Sequence, residues 1–584
     1  MQFKRLAEYF EKIEKEASRL AMTEDLAKLF KESSVNEIDL VVYLSLGNLR
    51  PKFEKVEFNL AEKMMLRVLG VAYGVEIGRV GKIFKEVGDL GEVIDKLEVK
   101  VVKDKGLSVG GVYKRLMDIA VDEGQGSQDR KVQNMATLLK DLDLKSAKYV
   151  VRIPVKKLRL GFSDMTVLDA LSWMEKGDKS LRKDLERAFN ESADIGKIAA
   201  IFKKSGIKGI GVIKLKPGIP VRMAMAERLP NAEKMVEKLD VFAVEPKYDG
   251  LRVQIHIDMG RGSELAKQED LFGGEKKLVR IFSRNLDNVT QMFPDIVEEV
   301  EKLKIKSVIL DGEAIAYDPK TDKFLPFQET IQRKRKHGVR EKIGELPLKV
   351  IVYDLLFFNG KNVMVKPFKE RRRLLEKAMQ GAGKNLILAK QHVVSDVKEL
   401  RVLVKQYLDE GLEGVMCKKL TTVYQAGSRN FNWVKFKKTT EGELVDTLDC
   451  VIMGYYVGKG RRSEFGIGAF LAGVRDKEGK IGSIAKIGTG LSDEQWLETK
   501  KRCDKVAVKD KPKEYVVDKN LGCDVWVEPK IVTEIMADEI TKSPIHAFGL
   551  ALRFPRLVKF RDDKKVDQAT TKRELEKFFK MQKN

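Results

Sequence analysis

The sequence is poor in cysteine, and its few cysteines lie far apart. Four occur in 584 residues, and none has a second cysteine at the C-x-x-C spacing of a zinc-binding pair. This scarcity disfavours both a disulfide framework and a zinc site built from cysteines alone. Such a chain is expected in the reducing interior of a cell, where structural disulfides are rare.

The chain also lacks long apolar runs and an excess of acidic residues. No apolar run approaches the roughly 18 residues of a membrane-spanning helix, and the N-terminus has no apolar signal core. Lys and Arg number 111 against 88 Asp and Glu, so the net charge is +23. This charge favours a polyanionic partner, with nucleic acid first and an anionic membrane second. We therefore predict a soluble, cytoplasmic protein with no membrane insertion.

The length and the hydrophobic content of 43% predict three or four packed domains. Residues 1–213 have the apolar spacing of helices, beginning with one amphipathic helix over residues 1–20. Residues 214–440 mix β-rich runs with helical segments, which is typical of an α+β domain. Residues 441–584 contain short strands and Gly-rich turns, which predicts a small β-barrel followed by a basic helix. The polar segment 259–277 is predicted to be an exposed hairpin loop.

The sharpest local pattern is KxDGxR, formed by Lys247, Asp249, Gly250 and Arg252. An Asp-Gly pair in a basic chain is also a common surface turn, so the pattern alone is only moderately specific. One charged residue on a strand is most simply part of a solvated face. Six charged patterns in order favour a ligand site instead, because charges within apolar strands are costly to bury alone. The five later patterns contain Arg284, Asp311 with Glu313, Tyr353 with Asp354, Glu413 with Lys418, and Lys435 with Lys437.

These residue types predict chemistry on a phosphoryl group. Lys247 becomes a nucleophile if neighbouring cations or a metal lower its pKa. Displacement at phosphorus depends mainly on positioning and charge neutralisation, which suits a cluster of cations. The cations available are Arg252, Arg284, Lys435 and Lys437.

The remaining groups predict a metal-binding site and a contact with a nucleotide base. Glu313 and Glu413 offer the oxygen ligands that Mg²⁺ prefers, and Tyr353 could stack on a base. No Gly-Lys pair is followed by Ser or Thr, so a P-loop is absent. Phosphate binding is therefore expected from side chains and a covalent intermediate.

Together the patterns resemble the six ordered motifs of the covalent nucleotidyltransferases, which comprise DNA ligases, RNA ligases and mRNA capping enzymes. The RFPR run at 553–556, followed by Arg561 and Lys564, resembles the last motif of ATP-dependent DNA ligases. Segments 123–128 and 158–161 resemble the DNA-binding domain of the replicative type in archaea and eukaryotes. The resemblance implies an all-α DNA-binding domain, an α+β adenylation domain and a C-terminal β-barrel of the OB-fold type.

The resemblance implies that Lys247 attacks the α-phosphate of ATP, that AMP passes to the 5′-phosphate of a nick, and that the 3′-hydroxyl seals the strand. Its implied cofactors are ATP and Mg²⁺, and its partner is nicked duplex DNA, bound independently of sequence by a monomer acting in replication, repair and recombination. Glu245 and Tyr353 would contact adenine, Glu313 the ribose or a metal, and Glu413 a metal. The implied phosphate contacts are Arg252, Arg284, Arg429, Lys435 and Lys437, with Arg561 and Lys564 from the barrel.

Three alternatives remain beside this reading. An RNA ligase or capping enzyme shares the chemistry, but the long helical region argues against it. An NAD-dependent ligase carries a zinc module of four closely spaced cysteines, which the scattered cysteines here cannot form. A non-catalytic protein could bind nucleic acid through the charge of +23 alone.

Two smaller hypotheses concern the chain's helices. Ser127 and Ser163 lie at predicted helix starts, where they could cap the helix or leave its N-terminus to a DNA phosphate. Residues 572–579 have the spacing of a sliding-clamp binding peptide, with Lys where Gln is usual. The favoured alternative is an apolar helix face that docks on the protein itself, because Leu575 and Phe579 share that face.

Overall fold

The computed structural model describes most of the chain and divides into two compact units, Met1–Phe436 and Lys437–Asn584. Each unit has its own apolar clusters. Among the described residues, no helix combines the length and apolar composition needed to cross a bilayer. The described residues are 1–97, 104–229, 231–259, 278–333, 339–437, 447–458 and 465–581.

The first unit begins with a helical region, as predicted. The apolar faces of its helices meet in one core that extends from Phe3 to Ile210. The helices are α1 Phe3–Glu14, α2 Arg19–Glu32, α3 Ile38–Ser45, α4 Glu62–Tyr73, α5 Ile77–Val87, α6 Leu90–Lys96, α7 Val109–Val121, α8 Ser127–Lys140, α9 Leu144–Val150, α10 Asp164–Lys176, α11 Arg182–Glu191 and α12 Ile195–Gly211.

Two helix starts differ from the sequence prediction, and a third, at Ser163, agrees with it in position. The single helix predicted over the first 20 residues is wrong, because α1 ends at Glu14 and Ser18 caps α2 by accepting from the backbone N–H of Ala21. Gly126, with φ of 73°, and not Ser127, is the N-cap of α8. Ser163 holds the N-cap position of α10 but makes no capping hydrogen bond through its side chain.

The rest of the first unit mixes strands and helices, and the predicted α+β character is confirmed. Its helices are α13 Ala232–Leu239, α14 Pro294–Glu301, α15 Phe327–Thr330, α16 Val339–Glu345, α17 Phe368–Ala378 and α18 Val397–Asp409. Its strands are β1 Met225–Arg228, β2 Phe242–Lys247, β3 Leu251–Asp258, β4 Leu278–Ser283, β5 Ser307–Ala316, β6 Leu348–Phe358, β7 Lys361–Asn362, β8 Leu386–Leu388, β9 His392–Val394, β10 Gly414–Lys419 and β11 Arg429–Lys437.

These strands form two sheets. One has the order β4-β3-β5-β6-β7, with β8 beside β6, and the other has the order β1-β11-β10-β2-β9. An apolar cluster joins them, since it contains Ile309 of β5, Leu356 of β6 and Trp433 of β11. Strands β3 and β4 pair antiparallel up to Asp258 and Leu278. The predicted loop between them lies outside the described residues beyond Met259.

The second unit is rich in strands, as predicted. Strands β12 to β18 and β21 form one sheet, and β19 pairs with β20. Its C-terminal helix places Leu575 in the apolar core, with Phe578 and Phe579 packed against it, so the apolar face of this helix docks on the unit itself. The elements are β12 Leu448–Tyr456, β13 Ala469–Arg475, β14 Ile481–Ile487, α19 Asp493–Asp504, β15 Ala507–Val508, β16 Tyr515–Val516, β17 Val525–Val527, β18 Val532–Met536, β19 Glu539–Lys542, β20 Leu550–Arg553, β21 Arg556–Phe560 and α20 Lys572–Met581.

Candidate active site

Lys247 ends strand β2, and the next strand of the chain starts at Leu251. The turn between them lies so close to β5 that a Cβ atom on Gly250 would be 2.6 Å from the carbonyl oxygen of Ala314 and 3.0 Å from Cγ of Glu313. Only glycine fits this approach without a shift of β5. The turn therefore holds Lys247 beside the strand that carries Glu313.

Glu413 forms an ion pair with the Nζ atom of Lys247. It directly precedes β10, which pairs antiparallel with β2 so that Gly414 lies opposite Lys247. The backbone N–H of Glu413 also donates to the carbonyl oxygen of Lys247 at 3.0 Å. Both side chains keep some exposure, 19% for Lys247 and 16% for Glu413. This pair lies at the accessible end of the two strands.

Two residues earlier on β2, Glu245 is buried in a cluster of partners. Strand alternation places it on the same face as Lys247. Lys418 of β10 forms an ion pair with its Oε2 atom at 2.7 Å, and Gln391 donates to its Oε1 atom at 3.1 Å. Arg372 lies 3.9 Å from the carboxylate. Burial raises the pKa of Glu245, and the charge of Lys418 opposes that rise.

Aromatic rings surround the Lys418 ammonium. Its Nζ atom lies 4.4 Å from the ring centre of Trp433, 4.6 Å from that of Tyr353 and 4.8 Å from that of Phe368. It also donates to the backbone carbonyl of Tyr353 at 3.1 Å. Tyr353 and Trp433 meet edge to face. The predicted adenine contacts, Glu245 and Tyr353, are therefore linked through Lys418.

Arg252 is held inside the fold by Asp311. Its Nε and Nη2 atoms donate to the two carboxylate oxygens at 3.0 and 2.6 Å, and Nη1 donates to the carbonyl oxygen of Ala224 at 2.6 Å. Tyr424 donates to the same carboxylate at 2.9 Å. Burial lowers the pKa of Arg252, but the charge and hydrogen bonds of Asp311, together with Tyr353 and Tyr424, leave that pKa raised. A phosphate contact by Arg252 would have to use the N–H groups that these partners leave.

Glu313 lies opposite Arg252 in the β3–β5 pairing. Burial raises the pKa of its carboxyl to about 7, against the opposing charges of Lys247 and Arg252. Glu313 and Glu413 thus both lie near Lys247. Mg²⁺ is usually bound by one or two carboxylates together with substrate phosphates, so this pair fits such an ion. Among the described ranges, no group of three or more His, Cys, Asp or Glu is arranged to hold a metal.

Several cations gather around Lys435 of β11. Burial first, and then the charges of Arg228, Arg429, Lys247 and Arg284, lower the pKa of Lys435 to about 8. Their influence on Lys435 means that three predicted phosphate contacts lie close together: Arg284, Arg429 and Lys435. Lys437 follows two residues later at the end of the same strand, where alternation places it on the face of Lys435.

Arg284 also faces the helical region. Together with residues of that region it lines a cavity of about 460 Å³. The basic residues of this cavity are Arg50, Lys52, Arg222 and Arg284.

The last two predicted residues belong to the second unit. Arg561 follows β21, and its Nη1 atom donates to Asp449 at 2.9 Å. Lys564 donates to the other oxygen of the same carboxylate at 2.5 Å. The structure therefore brings Arg561 and Lys564 together, in a unit separate from the one that holds Lys247.

Sequence reasoning assigned no role to several residues that hold the site. Asp311 stood within the Asp-Gly-Glu pattern, and the signal that could have identified it was a carboxylate inside an apolar strand, which needs a partner when buried. Lys418 stood at the end of another pattern. Tyr424, Gln391 and Arg372 carried no local signal.

The folds and the site define a nucleotidyltransferase domain that follows a helical region and precedes a strand-rich domain. Family models described as "DNA ligase N terminus", "ATP dependent DNA ligase domain" and "ATP dependent DNA ligase C terminal region" match residues 2–172, 271–437 and 463–564. The central match begins after Lys247.

Curated relatives match the whole chain. A "Probable DNA ligase" of Dictyoglomus turgidum is 44% identical over 100% of this chain and 98% of its own length. "DNA ligase 2" of Thermofilum pendens is 38% identical over 99% and 97%. The solved structure "Pmar-Lig_Pre" shares the fold, with a TM-score of 0.55 and 17% identity over 95% of this chain and 99% of its own. The chain belongs to the ATP-dependent DNA ligase family.

Proposed function

We propose that the chain seals nicks in duplex DNA with ATP and Mg²⁺. The amine of Lys247 attacks the α-phosphate of ATP, the α–β phosphoanhydride bond breaks, and pyrophosphate leaves. The 5′-phosphate of the nick then displaces Lys247 and takes AMP. Finally the 3′-hydroxyl attacks that phosphate, the new phosphodiester forms and AMP is released. The observation that supports this best is the position of Lys247 at an accessible strand end, between Glu413 and the cations around Lys435.

Adenine is bound by the buried part of the site, around Glu245 and Tyr353. Glu245 accepts from the amino group of adenine, and the cation Lys418 beside it favours the acceptor-only, ionised carboxylate. Tyr353 offers a ring for stacking. Glu313 binds the ribose or, with Glu413, the Mg²⁺ ion, which when bound neutralises charge on the phosphates.

The cations are proposed to act in two groups. Arg284, Arg429, Lys435 and Lys437 neutralise the AMP phosphate and the incoming 5′-phosphate, and Arg252 supports them from its contact with Asp311. Arg561 and Lys564 orient the pyrophosphate from the barrel, for which the OB-fold type stays a prediction. The domain limits 1–213, 214–440 and 441–584 are part of the same proposal.

Incubation with α-labelled ATP and Mg²⁺ tests the proposal. The protein should acquire a covalent label, and Lys247→Ala should lose it while still sealing a pre-adenylated nick slowly. Lys234→Ala removes an exposed lysine of α13 and should label normally, as a matched control. A labelled Lys247→Ala protein would refute the assignment, and an unlabelled wild-type protein would favour a non-catalytic binder. Comparing nicked DNA with nicked RNA separates the RNA ligase alternative.

DNA is proposed to bind through its backbone. The basic cavity beside Arg284 and the N-termini of α8 and α10 offer positive charge and free N–H groups to phosphates. Binding should therefore be independent of sequence and weaken steeply as salt rises. We further propose a cytoplasmic monomer that acts in replication, repair and recombination.

The sliding-clamp contact stays a prediction. Leu575 lies in the core of the second unit, so a clamp would have to bind the outer side of α20 or displace the helix. A peptide covering residues 570–584 should bind a sliding clamp if the hypothesis holds. A peptide that does not bind the clamp would refute the hypothesis.

A further inference from the structure

One carboxylate in the second unit holds both Arg561 and Lys564. The Oδ1 atom of Asp449 accepts from Arg561 at 2.9 Å, and its Oδ2 atom accepts from Lys564 at 2.5 Å. Among the residues the structure describes, Asp449 is the carboxylate that contacts both cations. Its side chain is only 14% exposed.

The backbone of Asp449 is fixed by two hydrogen bonds to Thr570. Its N–H donates to the hydroxyl of Thr570 at 2.9 Å, and its carbonyl oxygen accepts from the N–H of Thr570 at 2.8 Å. In the sheet it lies opposite Glu534 of β18. A carboxylate held in this way restricts the rotamers of the two long side chains that bind it.

Arg561 has two further carboxylate partners, Asp563 and Glu534. Asp563 is more exposed than Asp449, and Glu534 lies farther from the guanidinium. Asp563 accepts from Arg561 at 2.9 and 2.7 Å, but its side chain is 65% exposed. Glu534 lies 3.7 Å from Arg561 and 3.5 Å from Lys559. Neither is described in contact with Lys564.

We propose that Asp449 is a positioning residue for lysyl-AMP formation. It holds Arg561 and Lys564 side by side, so that both present their remaining N–H groups to the β- and γ-phosphates of ATP. Cations ordered before the nucleotide binds lose less conformational freedom on binding. Asp449 has no part in nick sealing, because pyrophosphate has left by then. The inference rests on the function proposed for Arg561 and Lys564.

Single-turnover labelling with α-labelled ATP tests this role. Asp449→Asn should weaken the apparent ATP affinity about tenfold, the order seen when a residue that orients a metal ligand is lost. Sealing of a pre-adenylated nick should be unchanged, which also reports that the variant is folded. Asp449→Glu keeps the carboxylate and should recover part of the affinity. Equal loss in both reactions, or tighter ATP binding by Asp449→Asn, would overturn the proposal.

Asp504→Asn is the matched control. It removes another carboxylate of the same unit that binds a lysine, Lys500, and a tyrosine hydroxyl, and both reactions should stay unchanged. In a protein already carrying Arg561→Ala and Lys564→Ala, Asp449→Asn should have no further effect on labelling. An added loss in that background would mean that Asp449 acts elsewhere.

The two proposals fail in different ways. Normal labelling by the Arg561→Ala, Lys564→Ala protein would refute the function proposed for these cations. Weak labelling by that protein beside normal labelling by Asp449→Asn would refute only the role of Asp449.

Discussion

Two lysine–glutamate pairs with opposite surroundings link β2 to β10 and to Glu413, the residue before β10. The pair of Glu245 and Lys418 is almost completely buried, with side chains 3% and 1% exposed. The pair of Lys247 and Glu413 lies at the strand ends, with exposures of 19% and 16%. Under the proposed function, the buried pair is fixed to select a base, while the accessible pair can exchange its partner for a substrate.

Matched Lys→Met changes should separate the two pairs most strongly. Lys418→Met leaves the buried Glu245 without its nearest cation and should lower the free energy of unfolding by about 3 kcal/mol. Lys247→Met should cost about 1 kcal/mol or less, because its partner stays accessible to water. Urea unfolding of both variants measures the difference. Equal losses would mean that burial does not distinguish the pairs.

The pH dependence of nucleotide binding should locate the charges near Lys247. The α,β-methylene analogue of ATP resists cleavage, so its affinity reports binding alone. Lys435, with a pKa of about 8, loses its charge as pH rises through that value. Glu313, with a pKa of about 7, loses its negative charge as pH falls through that value. Affinity should fall at alkaline pH because uncharged Lys435 no longer neutralises the phosphates, and at acid pH because protonated Glu313 no longer holds Mg²⁺ or the ribose, by up to about tenfold per pH unit.

Two variants assign the limbs of this profile. Lys435→Arg keeps the charge and should remove the alkaline limb, and Glu313→Gln should remove the acid limb. An alkaline limb that persists in Lys435→Arg would show that another group causes it.

A small effect is expected at Gln391, which donates a hydrogen bond to the buried Glu245. Gln391→Ala removes the hydrogen bond to Glu245 and should lower the free energy of unfolding by about 1 kcal/mol, the net value of one such bond. Thermal unfolding measures it. Gln406→Ala is the control, because its hydrogen bond to Glu410 lies on an exposed helix face, and it should change stability less. A larger loss at Gln406 would contradict the ranking.

The sequence predicted the strands that carry charge more reliably than it predicted their partners. The apolar runs around Glu313 and Tyr353 predict strands, because alternation and β-branched residues are local patterns that extend over only a few positions. The contact between Glu245 and Lys418 depends on the register of β2 with β10, which are about 170 residues apart in the chain, and no local pattern encodes it.

Helix ends and buried arginines were harder to predict for related reasons. The break before Ser18 follows from a capping hydrogen bond that competes with continued apolar spacing. The phosphate contact of Arg252, implied by the resemblance, stays a prediction, and its ion pair with Asp311 was not predicted. Its observed contact with Asp311 depends on packing β3 against β5.

The missing side chain at Gly250 has a consequence for altering this protein. Because β5 occupies the space where a Cβ would lie, the distance between Lys247 and Glu313 depends on the absence of a side chain at Gly250. Any larger residue there would push the turn between β2 and β3 away from β5 and move Lys247 away from Glu313 without touching a reacting atom.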